Sequence, residues 1–231
     1  DWERYHFALQ DGWLNGATYN GPKKRGNWDL NLNSGKQEYY ATIFRAAYQY
    51  YYKNIKGLRR PPKNSFWRTQ LKIRAYLENV SDDSALGTHK EERRFLGAQI
   101  KIYTYQREAE STYSTVIHEL AHASHWNMNR SKYDDSGSKI KESWAAGVEW
   151  SLTRLIYPNY SRGYNGTYTG VVVDMIDPIG GTDQVTGYTI RQIEDALNGK
   201  TTWNSWRDNI INTIENDKEE NLATLFDRWD F

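Results

Sequence analysis

The five residues His118-Glu119-Leu120-Ala121-His122 set two imidazoles four positions apart, with a carboxylate directly after the first. On a helix, four residues return the chain to within about 40° and one turn along the axis, so both imidazoles can reach one metal ion. Glu119 projects about 100° away from His118, which puts it beside an ion rather than on it. That is the place for a general base. The flanking sequence supplies the helix: Val116, Ile117, Leu120, Ala121 and Ala123 form a packing face, and Ser111 or Thr112 is placed to cap a helix over about 111–127.

A metal bound here must use His and carboxylate ligands, because the chain has no Cys. The same absence excludes disulfides and a cysteine nucleophile. Catalytic zinc keeps three protein ligands and leaves a fourth position for water, so one more group must come from another element. Glu142 is the best placed. The run 129–138, with Asp134-Asp135-Ser136-Gly137, reads as a polar loop, and a second helix follows over about 139–157 until Pro158 stops it. Glu142 then falls in that helix's first turn, and an antiparallel return turns its carboxylate toward the imidazoles. His125 shares the face of His118 and His122 but lies about 10 Å along the axis from His118, which suits a substrate-side or structural role.

Working outward, Leu71, Ile73, Ala75 and Leu77 alternate with polar or charged neighbours, and Ala98, Ile100, Ile102 and Thr104 do the same. Two strands are predicted there, separated by a charged turn region containing Ser81-Asp82-Asp83 and residues 90–94. Upstream, residues 1–33 read as irregular chain, closing in a cap around residues 29–35. From Tyr40, the positions Ile43, Phe44, Ala47, Tyr48, Tyr51, Tyr52 and Ile55 trace one helical face that ends at Gly57 and Pro61-Pro62. Downstream, 160–166 reads as loop and 171–176 as helix, followed by helices over 188–197, 203–214 and 222–229. The expected fold class is α+β: a small N-terminal sheet packed on the motif helix, then a mostly helical C-terminal lobe. Residues 1–231 form one catalytic domain, with lobes of about 1–128 and about 129–231.

Composition narrows the partners. The 30 Lys and Arg against 29 Asp and Glu leave no net field to attract nucleic acid or an acidic membrane surface. No apolar stretch is long enough to span a membrane, and the N-terminal residues do not read as a basic-then-apolar leader, so the chain is expected to carry no signal of its own, a trimmed leader being compatible with this. The 10 Trp and 18 Tyr suit surfaces where a flat apolar face meets a hydrogen-bonding edge, which fits either peptide or sugar.

The motif and the spacing to Glu142 resemble the gluzincin branch of the zincin metallopeptidases, with thermolysin-like ligand spacing, over about residues 111–150. The resemblance implies a zincin-like fold and one catalytic Zn2+ held by His118, His122 and Glu142. It implies hydrolysis of a peptide, protein or glycoprotein substrate, with Glu119 as the base. It also implies that Tyr133, in the segment before the Glu ligand, donates to the oxyanion. A metzincin pattern fits less well, since His125 stands where that pattern has Gly and Met128 where it has a third ligand. The thermolysin-like pattern itself is incomplete. No His follows His125, and Ala146 occupies the position four residues after the Glu ligand where an Asp would orient an imidazole. Tyr164, Tyr168 and Arg162 are further candidates for the oxyanion, and Asp174, Asp177 or Glu149 for the orienting role. The alternative reading is a non-catalytic, zinc-containing module that binds glycans or proteins. A hydrolase without Cys, rich in Asn and aromatics, suits a secreted, cell-surface or periplasmic location. The sequence does not indicate an oligomeric state.

Overall fold

The computed structural model describes residues 5–13, 15–17, 31–63, 70–78, 86–90, 100–178, 184–215 and 219–230. Among these it contains four strands and eight helices, a mixed α/β content compatible with the α+β expectation. The chain divides into two compact units: Asp1–Lys53 with Pro62–Leu120, and Asn54–Pro61 with Ala121–Phe231.

The first unit holds the sheet, in the order β1-β2-β4-β3. β1 (Phe7–Asp11) runs parallel to β2 (Leu71–Ala75), and β2 parallel to β4 (Ile100–Ile102). β3 (Gly87–His89) is the edge strand and pairs antiparallel with β4, Gly87 opposite Ile102. β2 is half-buried as its alternation requires: Leu71, Ile73 and Ala75 point inward while Lys72 and Arg74 reach toward solvent. α1 (Gly35–Tyr52) buries Tyr39, Ile43, Ala46, Ala47, Tyr50 and Tyr51 on one stripe. The Tyr39 hydroxyl donates to the Ile102 carbonyl at 2.9 Å, which ties that stripe to the sheet. α2 (Ala109–Met128) begins beside the sheet, where the Thr112 hydroxyl donates to the Thr104 carbonyl.

The second unit is helical: α3 (Arg130–Asp134), α4 (Ser138–Thr153), α5 (Val171–Ile176), α6 (Ile190–Leu197), α7 (Trp203–Thr213) and α8 (Glu219–Arg228). The segment Asn54–Pro61 belongs to it through specific bonds. Lys56 Nζ donates to Ser151 Oγ at 2.9 Å, Ser124 Oγ donates to the Arg59 carbonyl at 3.0 Å, and the Arg59 backbone N–H donates to the Glu194 carboxylate. α6 and α7 each begin with a capping box, Thr189 with Gln192 and Thr202 with Ser205. Gly147 lets α4 and α5 approach closely, since a Cβ there would sit 2.3 Å from Val172 Cβ and Cγ1. Trp203, Trp206 and Phe226 pack with ring centroids 4.8 to 5.9 Å apart in the core beneath α7 and α8.

Several sequence expectations require correction. Residues 1–33 are not irregular throughout, because Phe7–Asp11 joins the sheet as β1. The charged turn region between the two predicted strands contains a third, β3, formed by pairing with β4. Residues 129–138 are not all loop, because Asn129 caps a short helix by accepting the Lys132 N–H. α4 also starts at Ser138, which moves Glu142 just beyond the first turn. The helix expected at 171–176 is present as α5. Residues 98–99, 81–83, 91–94 and 29–30, which carried part of the strand, turn and cap readings, lie outside the described residues. No helix among the described residues is long and apolar enough to cross a membrane.

Candidate metal centre

α2 is continuous through the motif, and its packing face explains the orientation of the polar one. Val116, Ile117, Leu120, Ala121 and Ala123 are fully buried, while His118, Glu119, His122 and His125 are also buried, at 4 to 9% exposure. Four polar side chains this deep require partners. Ligand atoms of His118, His122 and Glu142 lie within 4.8 Å of one another, a group able to hold a metal ion. His122 Nε2 and Glu142 Oε2 are 3.1 Å apart. Two ligand atoms on one tetrahedral zinc, each about 2.0 to 2.2 Å from it, would stand about 3.3 Å apart. Two nitrogens and a carboxylate oxygen also form a donor set suited to zinc.

The other ring nitrogen of His122 faces elsewhere. Its Nδ1 lies 3.2 Å from the Tyr133 hydroxyl. Tyr133 is buried at 7% exposure and sits on α3. Its ring packs T-shaped against the His125 imidazole, with centroids 4.9 Å apart and planes at 89°, and Lys141 Nζ lies 4.8 Å from its centroid. His125 is enclosed, and burial pushes its pKa down to about 3, with the charges of His122 and Lys141 adding to the shift. Burial favours its neutral form, which suits the structural role of the two that the sequence offered.

Glu119 lies against the sheet. A Cβ on Gly87 of β3 would come within 2.7 Å of Glu119 Oε1 and 2.8 Å of Glu119 Cγ and of Thr115 Cγ2. The strand backbone therefore passes directly beside the carboxylate, an approach only Gly permits.

The remaining candidates are engaged elsewhere. Glu149, seven residues beyond Glu142 on α4, pairs with the Arg162 guanidinium and accepts from the Tyr160 hydroxyl. Arg162 also stacks over the rings of Tyr164 and Tyr168. Burial pushes the Tyr164 phenol pKa well above its ordinary value. Asp174 on α5 accepts from Trp229 Nε1 at 2.8 Å and Arg228 Nη2 at 2.7 Å. Ala146 is fully buried on α4. Sequence reasoning missed two neighbours of the centre, Gly87 beside Glu119 and the Tyr133 hydroxyl behind His122. Only the pairing of β3 and the folding of α3 reveal them.

No family model, curated protein or solved structure matches this chain.

Proposed function

We propose that the chain is a zinc-dependent peptidase of the gluzincin kind, cleaving peptide bonds with Glu119 as general base. The observation that carries this reading is the convergence of Glu142 of α4 with His118 and His122 of α2, a helix that also presents a further buried polar residue, Glu119, outside the ligand group. A purely structural site is closed by a fourth protein ligand, and among the described residues the group contains three.

Zinc, when bound, supplies a Lewis acid that polarises the scissile carbonyl and brings the pKa of water down to about 7. His118, His122 and Glu142 would hold it, with the Glu142 side chain partly exposed at 23%. Glu119 accepts the proton from the attacking water and passes it to the departing amine, so no covalent acyl-enzyme is needed. A peptide substrate also suits the strand beside the base. β3 is the edge of the sheet, and an extended peptide pairing along it would run past Glu119.

The test is Glu119→Gln, with zinc content and cleavage of a broad peptide library measured side by side. The expected result is unchanged zinc content with cleavage reduced by about 10²- to 10⁴-fold. Cleavage at the parental rate would remove Glu119 from the mechanism.

A further inference from the structure

The resemblance assigns Tyr133 to the oxyanion, yet its hydroxyl faces the ring nitrogen of His122 that points away from Glu142. We propose that Tyr133 is instead a positioning residue, whose phenol holds the His122 imidazole from behind in both the metal-free and the metal-bound protein. This rests on the metal centre described above.

The geometry is one-sided. Nε2 addresses Glu142 at 3.1 Å and Nδ1 addresses Tyr133 at 3.2 Å, so the two partners hold the ring from its two polar corners. The phenol is itself fixed. Asn129 caps α3, and the Tyr133 backbone N–H donates to the Asn129 carbonyl at 2.9 Å. The His125 ring and the Lys141 ammonium then confine the aromatic ring. A hydroxyl buried behind a ligand has no path to an oxyanion forming on the side that faces the substrate.

The choice of a phenol has a chemical consequence. A carboxylate or carbonyl behind an imidazole can only accept, so it suits only a ring protonated on Nδ1. A hydroxyl both donates and accepts. A tautomer that donates Nε2–H to the Glu142 carboxylate leaves Nδ1 to accept from the Tyr133 hydroxyl. With zinc on Nε2, the ring carries its proton on Nδ1 and donates it to the Tyr133 oxygen. The hydrogen bond reverses direction while the ring stays in place, so the ligand is oriented before the ion arrives. Tyr133 thereby orients the His122 imidazole from α3.

The experiment compares the full chain with Tyr133→Phe in three readouts: zinc affinity by chelator competition, kcat at saturating zinc, and the protonation of each His122 ring nitrogen by long-range 1H–15N spectra. The expected result is zinc affinity weakened about 10- to 100-fold, kcat at saturating zinc within a few-fold of the parent, and a protonated Nδ1 on His122 in the zinc-loaded parent. Unchanged zinc affinity overturns the proposal; if kcat also falls by about 10²- to 10³-fold, Tyr133 is an oxyanion donor after all. If the Tyr133→Phe variant does not fold, the parent's spectrum decides, and an unprotonated Nδ1 with zinc bound refutes the proposal. A parent that binds no zinc defeats the metal reading and this proposal together, which separates that failure from the others.

Discussion

Gly87→Ala places the smallest possible side chain where β3 passes the proposed base. The new Cβ would lie 2.7 Å from Glu119 Oε1 and 2.8 Å from Thr115 Cγ2, whereas ordinary contact begins at 3.4 Å. The strand cannot easily retreat, because Gly87 is paired with Ile102 of β4. Thr115 is short and anchored by its hydroxyl bond to the Ser111 carbonyl at 2.8 Å. The Glu119 side chain, met at both Oε1 and Cγ, is the part that yields, by somewhat less than about 1 Å. Misplacing a catalytic group by about 1 Å can cost about 100-fold in rate, so kcat/KM should fall by about 10- to 100-fold. Overpacking should also cost about 1 to 3 kcal/mol of stability. The two effects separate in a double variant: adding Thr115→Ser removes Cγ2 but keeps the hydroxyl, so stability recovers while activity stays low. The assay is peptide cleavage well below the unfolding temperature, with zinc content and urea unfolding measured on the same samples. Parental kcat/KM in Gly87→Ala, or activity that recovers together with stability in the double variant, would refute the placement of β3 against the base.

Two further outcomes follow from the second unit. Gly147→Ala should destabilise the protein by up to about 2 kcal/mol in urea unfolding, the overpacking exceeding the helix preference of about 1 kcal/mol for alanine, because its Cβ would meet Val172 at 2.3 Å; a stabilised variant would show that α4 and α5 do not pack this way. Glu194 is buried beneath Arg59, and burial outweighs the Arg59 donors to push its pKa up to about 7. An acid raised in the folded state contributes stability fully below its unfolded value, and that contribution is lost as pH rises through about 7. Relative to Glu194→Gln, the parent should therefore lose stability between about pH 5 and 7 at a slope approaching 1.4 kcal/mol per pH unit. A difference that stays flat or grows with pH would contradict it.

The parts of this chain legible in sequence are those with a period. The apolar stripe of α2 and its two His residues follow a helical repeat, and Leu71, Ile73 and Ala75 follow a strand repeat, so both elements could be placed from sequence. Glu142 was reachable because a metal site built on two imidazoles asks for a third ligand and the spacing offers one. Elements formed by partners rather than by pattern were not legible. β1 buries only Phe7 fully, and β3 is three residues, Gly-Thr-His, with no apolar alternation. Their strand character comes from pairing with β2 and β4. α3 is five residues held by the Asn129 cap, too short for a periodic signal. The sequence placed Tyr133 in the right segment. Which side of His122 its hydroxyl approaches depends on how that segment folds.

The central claim is that His118, His122 and Glu142 hold one zinc ion. The most direct measurement is anomalous scattering at the zinc edge from crystals of the zinc-loaded protein. The account predicts one ion per chain, about 2.0 to 2.2 Å from a nitrogen of His118, from Nε2 of His122 and from a carboxylate oxygen of Glu142. An ion ligated by Glu149, or no zinc at one equivalent, would contradict it.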